Sequence, residues 1–428
     1  MLRSALTLTL ALPLLALSAP ATAAAPASVP TCQGRPATVI GTPGDDRLRG
    51  TAGPDVIVGR GGDDRIRALA GDDLVCGGRG ADDLLGGPGA DELRGGAGAV
   101  DGSTYTGDVV DGGVGADVLA PGVGPVPQRV RGVQRADTVS YRHSRRAVEV
   151  DLEAGTARGQ GADTIVGRGR LAVLGSRYDD VLRGSAGPDS LDGGRGDDQV
   201  SGGGGRDWLV ADEGADQVDG GRGSDFILAS KGDDLLDGGP GADWIVAASW
   251  SPSTVIGGPG NDYVSRWLTA GEVGTVDGGP GRNQLEIDVQ IWPGESNVRA
   301  DLDRGSQTAT IRAGERTQTM AFADFDAFTL WGGDWTFTGT EEDDFVQVLQ
   351  GRLEAHGLGG DDWLMGDRRN DLLDGGDGTD TAWGGAGRNT CIDVEKGDCN
   401  GMLSHRTRVA AGDRTRRELL VRWWATAR

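Results

Sequence analysis

The chain has little of what an ordinary globular core is made from. Six phenylalanines and four tyrosines are spread over 428 residues, against 77 glycines and 17 prolines. A large aromatic core is excluded, and glycine plus proline stand near the level at which an aperiodic chain stays disordered. Histidine is scarcer still. His143, His356 and His405 stand far apart, and none belongs to the H-E-x-x-H pair that a zinc protease needs. No G-x-S-x-G elbow offers a serine nucleophile. Asp and Glu pairs occur everywhere, so none stands out as a glycosidase pair. The chain is therefore expected not to be an enzyme. Basic charge is also short: 42 Lys and Arg face 65 Asp and Glu, a formal net charge of −23. That balance argues against nucleic acid and anionic membranes as partners and favours cations.

Long apolar runs are missing too, with one partial exception at the start. Residues 1–25 combine Arg3, the run "LTLTLALPLLAL" and the small residues "APATAAAP", with a cleavage site at Ala21-Thr22-Ala23. This reads as a secretory signal peptide, the run being too short to cross a bilayer. The protein is accordingly expected to be secreted and extracellular, without a transmembrane segment. Four cysteines suit an oxidising compartment. Cys391 and Cys399 bracket "IDVEKGD" and would close a local loop. Cys32 precedes the first repeat and Cys76 ends the fourth, so a Cys32–Cys76 bridge would pin the N-terminal edge. Four cysteines allow three connectivities, and this pairing is one of them.

What the chain does have is a period. "GGRGSDFILASKGDDLLDGGPGADWIV" (220–246) is three nine-residue units end to end, with Asp225, Asp234 and Asp243 at the sixth position. Ile227, Leu236 and Ile245 follow two residues later. From Gly41 the same register places Asp46, Asp55, Asp64, Asp73, Asp82 and Asp91; a second array places Asp180, Asp189, Asp198, Asp207, Asp216, Asp225, Asp234 and Asp243. A third, shorter array has Asp362, Asp371 and Asp380, with Asp344 upstream; isolated units carry Asp117 and Asp262. The fourth position is almost always Gly, while the third, fifth and seventh vary.

The unit G-G-x-G-x-D-x-U-x, with U apolar, resembles the hemolysin-type calcium-binding (RTX) repeat; "GGRGSDFIL", "GGPGADWIV" and "GGRGDDQVS" match it at every defined position. The resemblance implies an all-β fold, a parallel β-roll or β-solenoid in which two units complete one coil. It further implies calcium ions between successive turns on each side.

The physical reading of the residues reaches the same place. Three residues make a short strand, and glycine supplies positive-φ turns. With turns alternating sides, units eighteen residues apart stack, so Asp46 lies over Asp64 and Asp55 over Asp73. Parallel strands are about 4.8 Å apart, and carboxylates at that spacing repel by ~3–4 kcal/mol at an effective dielectric near 20. One aliphatic per strand contributes ~2 kcal/mol, which does not offset that repulsion plus the cost of ordering glycine. Calcium, taking six to eight oxygens at about 2.3–2.6 Å, resolves both. The expected metal ligands are the seventeen aspartates of the three arrays, Asp46 through Asp91, Asp180 through Asp243, and Asp362, Asp371 and Asp380. Pairs eighteen apart give roughly eleven Ca2+ sites.

The expected organisation is a signal peptide (1–25), a first array (41–120), a β-rich connector (121–174), a second array (175–246), a second connector with isolated units (247–338), a third array with its disulfide loop (339–400), and a basic tail (401–428) expected to be disordered. "AVEVDLEAGTA" (147–157) is echoed by "NVRADLDRGSQ" (297–307). The connectors read as apolar-faced extensions or caps of the solenoid. Function is expected to be calcium binding with calcium-coupled folding. The alternative is a calcium-stabilised adhesin holding a glycan or cell surface through connector aromatics or the basic tail. Trp208 and Trp244 fall at the seventh position and should face outward.

Overall fold

The computed structural model describes residues 29–101, 104–122, 136–167, 170–248, 252–268, 274–289, 298–314 and 316–399. Segments 1–25 and 401–428, with His405, Trp250 and Trp292, lie outside the described residues. Among the described residues every regular element is a β-strand, and no helix is long and apolar enough to cross a membrane. Each repeat supplies a strand such as Gln199–Ser201 or Gln217–Asp219, with the middle residue inside and its two neighbours outside. Glycines at either end turn the chain. Gly203 and Gly205 have φ of 89° and 122°, a region that residues with a Cβ seldom enter. The coils also approach closely there: a Cβ on Gly202 would lie 2.5 Å from the Gly220 carbonyl oxygen.

Two units make one coil, and strands pair in parallel with the strand one coil later: Leu191 with Leu209, Leu209 with Ile227, Ile227 with Ile245. The chain is a parallel β-solenoid in which 36 of the 42 described strands join one network. Its core is two facing columns of aliphatics. One begins Leu48, Ile66, Leu84, Val110, Val139, Val173 and continues to Ala382. The other begins Val39, Ile57, Val75, Leu93, Leu119 and Ile165.

The segments between the arrays carry the solenoid onward. Most of the first column passes through them strand by strand. The second column is spliced twice by a three-stranded antiparallel insert. Ala162–Ile165, Thr156–Arg158 and Glu149–Asp151 form one, entered at Val118–Gly122 and left at Val181–Arg183. Arg316–Ala323, Thr308–Ala313 and Val298–Asp303 form the other, between Thr275–Asp277 and Ala327–Thr338. The sequence echo is thus one structural device used twice. Cys32–Cys76 and Cys391–Cys399 are both bonded.

Candidate metal centre

A strand of three residues leaves its preceding aspartate at the mouth of a turn, and the eighteen-residue coil sets these aspartates one above another. The stacking is hydrogen-bonded. The main-chain N–H of each aspartate donates to Oδ1 of the aspartate one coil later: Asp189 to Asp207 at 2.7 Å, Asp207 to Asp225 at 2.8 Å, Asp225 to Asp243 at 2.7 Å. Asp180, Asp198, Asp216 and Asp234 do the same on the other side of the coil, at 2.8, 2.8 and 3.2 Å. So do Asp46, Asp64 and Asp82, and Asp55, Asp73 and Asp91, and Asp344, Asp362 and Asp380. Asp371 accepts from Leu353 at 2.8 Å.

The second oxygen tells more. Oδ2 is buried without a hydrogen-bond partner in Asp64, Asp73, Asp82, Asp91, Asp198, Asp207, Asp216, Asp225, Asp243, Asp362, Asp371 and Asp380. Leaving a buried acceptor unmade costs of order 1–3 kcal/mol, more for a charge. The oxygen points into a space walled by main chain. A Cβ on Gly202 would lie 2.5 Å from Asp207 Oδ2 and 2.5 Å from the Gly220 carbonyl oxygen, and a Cβ on Gly238 2.8 Å from Asp243 Oδ2 and 2.5 Å from the Gly257 oxygen. Burial, aided by the carboxylates of neighbouring turns, pushes Asp82, Asp91, Asp198, Asp207 and Asp362 up to about 7 and Asp243 up to about 8, against the opposing effect of the N–H each accepts. Such a ladder is uncomfortable as a stack of bare anions.

The ladder extends beyond the regular arrays. Asp82 donates to Asp108 and Asp108 to Asp137, at separations of 26 and 29 residues. Asp91 donates to Asp117 and Asp117 to Asp163, at 26 and 46. Asp243 donates to Asp262 at 19. Asp108, Asp137 and Asp163 escape a fixed nine-residue register because extra residues separate each from the rung before it, among them the hairpin of Ala99–Asp101 and Thr104–Thr106 ahead of Asp108 and the antiparallel strands Glu149–Asp151 and Thr156–Arg158 ahead of Asp163. The strand pattern behind them is intact: Val110, Val139 and Ile165 follow two residues on, and that D-x-U triplet was the available signal. Side chains of other kinds occupy some rungs: Ser253, Asn283, Asn389 and Glu395 accept where an aspartate would. An outer ladder was also missed. Fifth-position Asp63, Asp72 and Asp197 accept from the N–H one coil later, at 2.8–2.9 Å.

Among the described residues no three His, Cys, Asp or Glu side chains converge as a metal cluster. The donor set is instead one carboxylate per turn with glycine carbonyls, an oxygen-only set that suits a hard cation and not zinc. Residues 40–75, 77–99, 174–209, 210–245 and 356–391 match the family model of the RTX calcium-binding nonapeptide repeat (4 copies). These five stretches are RTX calcium-binding nonapeptide repeats. No curated protein matches the chain. With these repeats it is a calcium-binding repeat protein, and the orphaned Oδ2 atoms are what such a chain needs to offer.

Elsewhere on this RTX solenoid, Trp208 and Trp244 do face outward, at 39% and 38% exposure. They belong to an aromatic row with Phe226 and Tyr263, at centroid distances of 4.0, 5.8 and 5.2 Å along Trp208, Phe226, Trp244 and Tyr263. Trp335 is buried, its indole N–H donating to the Gly332 oxygen at 2.5 Å. His143 is exposed and sits 2.7 Å from Asp111. His356 lies between Glu354 and Asp374.

Proposed function

We propose that this protein is a secreted, extracellular calcium-binding solenoid whose folding is coupled to calcium. The supporting observation is the run of buried, unpartnered Oδ2 atoms on carboxylates that burial raises toward neutrality. The proposed ligands are the aspartates with that orphaned oxygen, joined by Asp108, Asp117 and Asp262, where Oδ2 is likewise unpartnered. Calcium supplies the positive charge and vacant coordination positions that these oxygens lack. Asp46, Asp55, Asp180, Asp189 and Asp234, the remaining expected ligands, have Oδ2 engaged by main-chain or hydroxyl donors. The proposed ligands form nine stacked pairs, and about nine ions, fewer than the roughly eleven expected from sequence spacing, is the proposed count, with the first, second and third arrays as the loading units. The N-terminal apolar run and two disulfides support the extracellular placement. The test is a calcium titration followed by far-ultraviolet circular dichroism with magnesium as control. A cooperative rise of β signal with calcium alone supports the reading; full β signal in chelator rejects it.

The second reading, a calcium-stabilised surface-binding protein, has the exposed Trp208–Tyr263 row in its favour. Stacked aromatics flanked by hydrogen-bonding groups such as Glu286, which accepts from the Tyr263 hydroxyl, suit the faces of sugar rings. Retention of the calcium-loaded protein on polysaccharide, lost with Trp208→Ala and Trp244→Ala together, is the outcome this reading requires.

A further inference from the structure

One pattern separates the first turns of each array from all the others. In Asp46, Asp55, Asp180, Asp189 and Asp344, Oδ2 takes the main-chain N–H of the residue four positions back: Thr42, Thr51, Ser176, Ser185 and Thr340, at 2.5, 2.6, 2.5, 2.7 and 2.7 Å. The hydroxyls of these same residues donate to the carboxylate as well. Each hydroxyl also accepts the N–H of the residue two positions on: Gly44, Gly53, Tyr178, Gly187 and Glu342, at 3.1–3.3 Å. The hydroxyl therefore bridges the turn from within. None of the five has a positive φ, whereas Gly203, Gly221 and Gly239 at the same position inside the second array do. Interior turns lack this bridge: the position holds glycine, as at Gly78, Gly203 and Gly221, or a residue such as Arg60, Leu69, Asp212 or Leu358, and Oδ2 is left without a donor except in Asp234, which accepts from Ser253.

Residue type alone does not make the bridge. Ser230 stands at the second position of an interior unit, but its hydroxyl donates to the Asp212 carbonyl and not to Asp234. Position in the array matters: Thr42 and Thr51 open the two sides of the first coil, Ser176 and Ser185 the two sides of the coil that opens the second array. Thr340 opens one side of the third, where Arg304 adds a guanidinium 2.5 Å from Asp344 Oδ1.

We propose that Thr42, Thr51, Ser176, Ser185 and Thr340 decide which turns do not take calcium. Their hydroxyl and amide fill the carboxylate oxygen that interior turns offer to the ion, so each array starts from a turn complete without metal. The inference rests on the calcium reading above and adds an order to it: capped turns are formed first, and calcium builds the array away from them. A first turn has a neighbouring coil of its own array on one side only, so a cap made within the turn suits it better than an ion shared between coils.

Two measurements on the full chain test this. The first counts bound calcium by equilibrium dialysis and elemental analysis. Ser185→Gly, which recreates an interior glycine turn, is expected to bind one more ion than the parent chain, and Ser185→Thr the same number. An unchanged or lower count in Ser185→Gly overturns the proposal. The second follows hydrogen exchange in chelator. Amides of turns 42–46, 51–55, 176–180 and 185–189 should stay protected while those of the Asp198–Asp243 turns exchange, and calcium should restore the latter. Equal loss at both kinds of turn, with equal recovery in calcium, overturns the caps and leaves the calcium reading standing. Exchange that calcium nowhere alters overturns the calcium reading itself.

Discussion

Asp207 has one oxygen taken by the Asp189 N–H and the other buried against glycine carbonyls. Asp207→Ala should therefore raise the calcium needed for half-maximal folding by about tenfold or more, the equivalent of the ~1.5–3 kcal/mol carried by one charged contact. Titration followed by circular dichroism reads this directly. The same buried carboxylates dictate a pH dependence. Burial lifts the folded-state values of Asp207 to about 7 and of Asp243 to about 8, above the 3.8 of an unburied group. The metal-free fold thus binds more protons than the unfolded chain between those limits, and its stability falls as pH rises from about 4 to about 8. Calcium affinity should rise across the same window, because binding displaces those protons. Chelated protein retaining more β signal at pH 5 than at pH 8, with proton release on adding calcium, is the expected result. Asp55 shows the contrast: burial raises its pKa, but bonds from the Thr51 amide and hydroxyl and the Thr38 hydroxyl outweigh it and hold the carboxyl below its ordinary value.

Each strand contributes one side chain to the interior, so an element is only as stable as the contact above and below it. Ile227 is fully buried between Leu209 and Ile245. Ile227→Ala should cost ~2–5 kcal/mol, seen as a lower melting temperature in saturating calcium. The terminal coils have a neighbour on one side alone, and the Cys32–Cys76 bridge spans 44 residues there. Replacing both cysteines by serine should cost ~2–4 kcal/mol and speed hydrogen exchange in the first coils without changing the second array. At this scale the period exposed the aliphatic columns and the aspartate ladder, because Ile227 or Asp225 recurs at a fixed offset. It hid Asp108, Asp137 and Asp163, since extra residues, a hairpin ahead of Asp108 and antiparallel strands ahead of Asp163, break the count while the D-x-U triplet stays in the sheet. The antiparallel inserts were visible only as a sequence echo; pairing such as Val150 with Ala157 depends on strands that no nine-residue count reveals. The hydroxyl caps were legible as Ser or Thr in place of the second glycine, but their meaning needed the hydrogen bonds.

For the whole molecule, a formal charge of −23 spread along a rod without a thick core opposes compaction. The calcium-free chain should accordingly be larger. Size-exclusion or scattering measurements should show a contraction on adding calcium, absent with magnesium, which strips its waters reluctantly and suits these carbonyl-rich turns poorly.

The coil of two units also fixes a reading frame for length. Strands eighteen residues apart lie on the same face, and strands nine apart on opposite faces. Excising one full coil from the second array would shorten the rod and leave everything downstream where it was. Excising a single unit would turn the remainder over: the aromatic row, both halves of the second antiparallel insert and the Cys391–Cys399 loop would move to the other side. The rod can therefore be tuned in steps of a coil like a ruler, but half a step exchanges its front and its back.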